Sequence, residues 1–89
     1  MIERELEVVN RLGLHARAAA KFVHLAGSFE SRITVSSNGQ SVDGKSILGI
    51  LLLAAAQGVI LKITCEGPDE NEALAAIEKL IRDRFGEDS

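Results

Sequence analysis

The fold is indicated most clearly by one stretch of the sequence, Arg32-Ile33-Thr34-Val35-Ser36-Ser37-Asn38-Gly39-Gln40-Ser41-Val42-Asp43. Its first half alternates polar and apolar side chains, which is the period of a strand with one buried face, here carrying Ile33 and Val35. Asn38-Gly39 is the dipeptide most typical of a two-residue hairpin turn. Residues 32–37 and 40–43 are therefore predicted as two antiparallel strands of one sheet.

The segments on either side of this hairpin supply two more strands and three helices. Arg4 interrupts the inward-facing apolar row of the first strand, which places that strand near a sheet edge. Asp69 and Glu72 have the spacing of a capping box at the start of the last helix. The predicted elements beyond the hairpin are a strand over Met1 to Val9, a helix over Ala16 to Ala26, a short helix from Lys45-Ser46 to about Gln57-Gly58, a strand over Val59 to Cys65 and a helix over Asp69 to Phe85.

This β-α-β-β-α-β-α order predicts a single α+β domain over residues 1–89. A chain of this length can bury one core and no more. A four-stranded antiparallel sheet covered by helices on one face is the economical way to bury the apolar stripes of all three helices.

Composition excludes several classes of function. The net charge is −3 and the only aromatic residues are three phenylalanines, so the chain lacks the basic groove and stacking rings of a nucleic-acid-binding surface. The apolar stretch from Ile47 to Ala56 is far shorter than the ~18 residues that a membrane span requires. No apolar block typical of a signal peptide follows Met1, and the single Cys65 cannot form an internal disulfide. We therefore expect a cytoplasmic protein that does not insert into membranes.

His15 stands at the N-cap position of the first predicted helix and is the candidate reactive residue. A neutral imidazole accepts a phosphoryl group through the ring nitrogen that keeps its lone pair. The product is a dianion, which the unpaired backbone N–H groups of Ala16, Arg17 and Ala18 can bind. The Arg17 guanidinium can also hold two phosphate oxygens. Gly13 lets the preceding chain bend so that the ring lies over the helix end.

The same residues fit a simpler interpretation, because a histidine at an exposed helix start is often an ordinary surface residue. His24 lies inside the same helix, where no N–H group is unpaired, and is expected to be such a bystander. The two histidines are too far apart along the helix to share an ion, so no metal site is predicted. From the residues alone, His15 can be either a phosphoryl acceptor or an ordinary surface residue. A compact ligand-binding domain of similar strand order also remains an alternative.

The segment that follows Ser46 is unusually apolar. Ser46 is predicted to be the N-cap of the second helix, and no polar side chain occurs from Ile47 to Ala56. A sheet covers only one side of a short helix, so apolar side chains are left exposed, and such exposure marks a partner surface. Full burial and a dimer contact are the alternatives. A phosphate on Ser46 would place negative charge beside this surface and repel an acidic partner.

Two motifs together resemble a known family. Gly13-Leu14-His15-Ala16-Arg17, followed further along the chain by Gly44-Lys45-Ser46-Ile47-Leu48-Gly49, is similar to the HPr phosphocarriers of the phosphoenolpyruvate-dependent phosphotransferase system. The likeness covers essentially the whole chain. It implies an open-faced β-sandwich, with four antiparallel strands and three helices on one side. It also implies a phosphoryl-relay protein that is not an enzyme and needs no cofactor.

The resemblance implies a role for individual residues and a set of partners. His15 would accept a phosphoryl group at Nδ1 from phosphorylated enzyme I and pass it to an enzyme IIA domain, while Arg17 neutralises the phosphoryl charge. Ser46 matches the regulatory site of HPr kinase/phosphorylase. A carrier that must hand on its phosphate is expected to be a monomer. The second helix would divide into the docking residues Ile47, Leu48 and Leu51 and the sheet-facing residues Ile50 and Leu53.

The chain departs from the family pattern at two positions. Ala18 stands where the family usually has proline, which restores one N–H group in the first helical turn. Ala54 stands where glycine is common. These departures leave open whether the carrier serves a sugar-transport relay or acts as a regulatory phospho-switch in a nitrogen-related branch.

Overall fold

The structure, a computed structural model, describes residues 1–89 and contains the predicted elements in the predicted order. The hairpin strands and the first helix have the bounds that the sequence predicts. The strands are β1 (Ile2–Glu7), β2 (Arg32–Ser37), β3 (Gln40–Asp43) and β4 (Ile60–Glu66), and the helices are α1 (Ala16–Ala26), α2 (Ile47–Leu53) and α3 (Glu70–Arg82), with a 3₁₀ turn over Arg84–Gly86.

The four strands form one antiparallel sheet in the order β1-β4-β2-β3. The register of the β2–β3 hairpin pairs Ser37 with Gln40 across the Asn38-Gly39 turn, and both turn residues have positive φ, 51° and 82°. Asn-Gly is favoured in two-residue hairpin turns because both residues adopt positive φ readily. The sheet confirms the predicted fold class.

The structure explains why the charged residue Arg4 interrupts the apolar row of β1. The strand is at the edge of the sheet, as predicted, and the Arg4 guanidinium forms an ion pair with Glu78 of α3. The edge position lets a charged side chain reach the overlying helix without being buried, since Arg4 is itself exposed.

The core lies between one face of the sheet and the three helices. α2 packs on β2 and β3, α3 packs on β1 and β4, and α1 packs against both other helices. Strand residues at alternate positions and one stripe of each helix fill the space between the layers. No helix is long and apolar enough to cross a membrane. The largest fully buried apolar side chains are Val8, Phe22, Ile33, Val35, Ile50, Leu61, Ile63, Ile77, Ile81 and Phe85.

The second helix is shorter than the sequence predicts. It ends at Leu53 instead of near Gln57, and Ala54 adopts a left-handed backbone with φ 48° and ψ 37°. The next residue, Ala55, is buried, and its carbonyl accepts the Leu14 N–H at 2.9 Å. This tertiary contact ends the helix, although Ala54 carries a strain of about 1 kcal/mol in that conformation.

The predicted capping box of α3 is wrong. The Asp69 side chain makes no hydrogen bond to its own helix; its carboxylate instead accepts the backbone N–H groups of Glu30 and Ser31, each at 2.9 Å. The Ser31 hydroxyl is the main cause of the lowered pKa of Asp69, followed by the Glu30 N–H. Asp69 therefore ties the start of α3 to the loop before β2, while Glu70 accepts the Gly67 N–H at 3.1 Å.

Candidate functional site

A tight turn places the candidate histidine. The Gly13 N–H donates to the Asn10 carbonyl at 3.2 Å, and Gly13 has φ +66°, a conformation that glycine adopts without strain. The buried Asn10 side chain donates through Nδ2 to the Gly13 carbonyl at 2.8 Å. The bend that the sequence predicts at Gly13 is therefore present, and it directs the chain through Leu14 into α1.

His15 is the N-cap residue of α1, as predicted. Its backbone is extended, with φ −74° and ψ 177°, and its side chain does not cap the helix. The N–H groups of Ala16, Arg17 and Ala18 make no hydrogen bond, so these donors at the positive end of the helix are unpaired. Ala16 and Arg17 are exposed, but Ala18 is fully buried. An incoming phosphate could thus reach only the first two N–H groups without local movement.

Glu87 is a member of the site that sequence reasoning missed. Its Oε2 lies 2.5 Å from Nε2 of His15, and its Oε1 accepts the Asn10 side-chain amide at 3.0 Å. The hydrogen bonds from His15 and Asn10 lower the pKa of Glu87. The His15 side chain stays 28% exposed, so a protein partner can still reach the ring.

Arg17 and His24 are both exposed on α1, and their side chains make no hydrogen bond or ion pair. The guanidinium of Arg17 is therefore free to bind an anion near the helix start, but the structure does not bring it into contact with His15. His24 lies in the last turn of the helix, away from the unpaired N–H groups. No group of three or more His, Cys, Asp or Glu residues is placed to hold a metal ion.

Ser46 is the N-cap of α2, as predicted. Its Oγ accepts the Gly49 N–H at 3.1 Å, which satisfies one of the donors left unpaired at the helix start. The residue is half-buried.

The exposed side chains of α2 are all apolar, and we call them together the α2 patch. It contains the predicted docking residues and one residue that the prediction omitted, Leu52, which is 73% exposed. Ile50 and Leu53 are buried, as expected of the sheet-facing side. The patch residues are Ile47, Leu48, Leu51 and Leu52.

The α2 patch and His15 belong to the same end of the molecule. The Leu14 N–H, one residue before His15, donates to Ala55, two residues after the end of α2. The chain that leads into His15 therefore lies beside the C-terminal end of α2. This end of the molecule holds a partly exposed imidazole and an open helix start.

A family model described as "PTS HPr component phosphorylation site" matches residues 2–83 of the chain. Among curated proteins, the phosphocarrier protein HPr of Cupriavidus necator is 49% identical over 87 residues, which cover 98% of each chain. The match therefore extends over both motifs and the whole sheet.

Solved structures give the same result. HPr-C-His from Thermoanaerobacter tengcongensis superposes with a TM-score of 0.97 at 45% identity and covers 100% of both chains. An HPr dimer from the same organism superposes with a TM-score of 0.79 at 46% identity and covers 98% of this chain and 100% of that one. Since a dimer is among these neighbours, the expected monomer stays a prediction.

Proposed function

Because this chain belongs to the HPr family of phosphocarriers in the phosphotransferase system, we propose that it carries a phosphoryl group on Nδ1 of His15. Phosphorylated enzyme I is the proposed donor and an enzyme IIA domain the proposed acceptor. The chain acts as a cytoplasmic relay protein with no turnover of its own on a small molecule, and it works as a monomer.

The observation that carries this proposal is the position of the His15 ring at an open helix start. Its Nε2 contacts Glu87, which leaves Nδ1 as the nitrogen available for reaction. The unpaired N–H groups of the exposed residues Ala16 and Arg17 supply donors for the phosphate oxygens, and the Arg17 side chain supplies an exposed positive charge. The family likeness supports the same assignment.

Incubation with phosphoenolpyruvate and enzyme I tests the proposal. We expect the parent protein to take up one acid-labile phosphoryl group per chain, and His15→Ala to take up none, because the acceptor nitrogen is gone. His24→Ala is the matched control, since it removes an exposed imidazole from the same helix and should leave uptake unchanged. Equal uptake by His15→Ala and the parent would refute the proposal.

We further propose that the α2 patch is the surface on which both enzymes dock. Its leucines are exposed, the segment that follows α2 is hydrogen-bonded to the residue before His15, and apolar groups at the centre of an interface supply much of its binding energy. Ser46 adjoins the patch at the start of α2. Phosphorylation of Ser46 by an HPr kinase/phosphorylase would place charge at the edge of the patch and weaken docking.

Variants of the patch should slow transfer without removing the acceptor. We expect Leu48→Glu to lower the rate of phosphoryl uptake from enzyme I about tenfold, and Ser46→Asp to lower it in the same direction. Ile60→Glu changes an apolar residue of β4 that is 49% exposed outside the patch, and should behave like the parent. Equal rates for Leu48→Glu and Ile60→Glu would exclude the patch as the docking surface.

The acceptor step separates the sugar-transport relay from the regulatory switch of a nitrogen-related branch. Phosphorylated protein is mixed with a panel of enzyme IIA domains, and loss of its label is followed over time. Rapid transfer to one or more domains supports the relay. Stable label with every domain would favour the regulatory switch.

A further inference from the structure

The carboxylate of Glu87 is held against His15 by a buried amide. Asn10 is fully buried and its Nδ2 donates both to Glu87 Oε1 at 3.0 Å and to the Gly13 carbonyl at 2.8 Å. Two acceptors on one amide nitrogen fix the orientation of the Asn10 side chain. The contact between Glu87 and His15 is therefore linked to the turn that places the histidine.

The backbone around Glu87 is anchored as well. Phe85 is buried in the core, the Glu87 N–H donates to the Arg84 carbonyl at 2.9 Å, and the Arg11 N–H donates to the Ser89 backbone oxygen at 3.0 Å. Arg84 and Phe85 have left-handed φ angles of 57° and 54°, which persist in non-glycine residues only where surrounding contacts impose them. These contacts make the placement of Glu87 a feature of the fold and not of a loose chain end.

The contact determines which nitrogen of His15 carries the proton. The pKa of Glu87 is lowered, so the carboxylate is ionised at neutral pH and can only accept a hydrogen bond. The proton of the contact must therefore be on Nε2. A neutral imidazole has one N–H group, so Nδ1 keeps its lone pair.

We propose that Glu87 is a positioning residue for phosphoryl transfer: it fixes the Nε2–H tautomer of His15 and stabilises the positive charge that the ring gains on reaction. This inference rests on the function proposed above. The Nδ1 lone pair forms the new N–P bond, the bond from phosphorus to the donor breaks, and its electron pair leaves with the donor. The proton stays on Nε2, so the phosphorylated ring is positively charged beside the carboxylate. A carboxylate serves the histidine of a serine-protease triad in the same way.

Two single variants separate this role from a general effect of charge. Glu87→Ala removes the acceptor, whereas Asp88→Ala removes the same charge one residue later, from an exposed side chain that forms no hydrogen bond or ion pair. The ring nitrogens of His15 are observed by ¹⁵N NMR on the unphosphorylated proteins. Initial rates of phosphoryl uptake are measured with phosphoenolpyruvate and enzyme I.

We expect Nε2 to be fully protonated in the parent and in Asp88→Ala, and Glu87→Ala to give a mixture of tautomers with uptake about tenfold slower. Glu87→Gln keeps an acceptor without the charge, so it should retain the parent tautomer at an intermediate rate. The proposal is overturned if Glu87→Ala has the parent tautomer, or if it slows uptake no more than Asp88→Ala does. Failure of the parent itself to take up phosphate would instead refute the proposed function, because the tautomer is read without phosphorylation.

Discussion

The Phe85→Ala variant is expected to lose about 3 kcal/mol of its free energy of unfolding, which is a large part of the stability of a domain this small. The Phe85 ring is 1% exposed, and its backbone carbonyl accepts the Lys21 ammonium of α1 at 2.6 Å. Removing the ring leaves a cavity and also removes what holds the left-handed backbone at residues 84–86 in place. Glu87 should then separate from His15 even in molecules that stay folded.

Urea unfolding measures the loss for Phe85→Ala, and Phe29→Ala is the control. Phe29 is only partly buried at the edge of the same core, so its truncation should cost clearly less. The ¹⁵N signals of the His15 ring report whether Glu87 has separated. A free energy of unfolding within about 1 kcal/mol of the parent would contradict the anchoring role assigned to Phe85.

Gly13→Ala is expected to cost about 2–3 kcal/mol of unfolding free energy and to slow phosphoryl uptake as well. A Cβ at this position would lie 2.5 Å from the Ala55 carbonyl oxygen and 3.0 Å from Ala56 Cα, on a backbone with φ +66°. Both neighbours are backbone atoms, so the segment after α2 must move. That movement disturbs the Leu14–Ala55 hydrogen bond through which α2 and His15 are joined.

Gly39→Ala is the matched control for Gly13→Ala. Gly39 has φ +82°, and nothing lies within 4 Å of the position that a Cβ would take there, so this variant carries only the dihedral cost of about 1 kcal/mol. Thermal and urea unfolding of the two variants therefore separate steric contact from backbone preference. Equal losses of unfolding free energy in the two variants would show that the close approach of Gly13 to Ala55 does not contribute to the cost of Gly13→Ala.

The bounds of a helix or strand could be predicted correctly where the sequence itself carries a turn or stop signal at its end. The Asn38-Gly39 turn fixes both strands of the hairpin, and α1 has the predicted bounds. The end of α2 was predicted wrongly because the run of alanines after Leu53 contains no stop signal. The helix ends there through a hydrogen bond between Leu14 and Ala55, which no local pattern reveals.

The features of the candidate site likewise divide into those set by neighbours in sequence and those set by distant residues. The N-cap positions of His15 and Ser46 and the exposed face of α2 follow from neighbours in sequence. Glu87 could not be found because it lies 72 positions after His15 and reaches it only through the left-handed turn at Arg84–Gly86. Asp69 was misassigned for a related reason, since its carboxylate binds the loop before β2 in preference to its own helix.

The most direct test of the central claim is the site of the phosphorus atom in the phosphorylated protein. With ¹⁵N-labelled histidine, NMR detects a one-bond coupling between phosphorus and the ring nitrogen that carries it. We predict a single coupling, to Nδ1 of His15. Phosphorus bonded to Nε2 of His15, to His24 or to any other residue would contradict the claim that the open start of α1 makes His15 the phosphoryl acceptor.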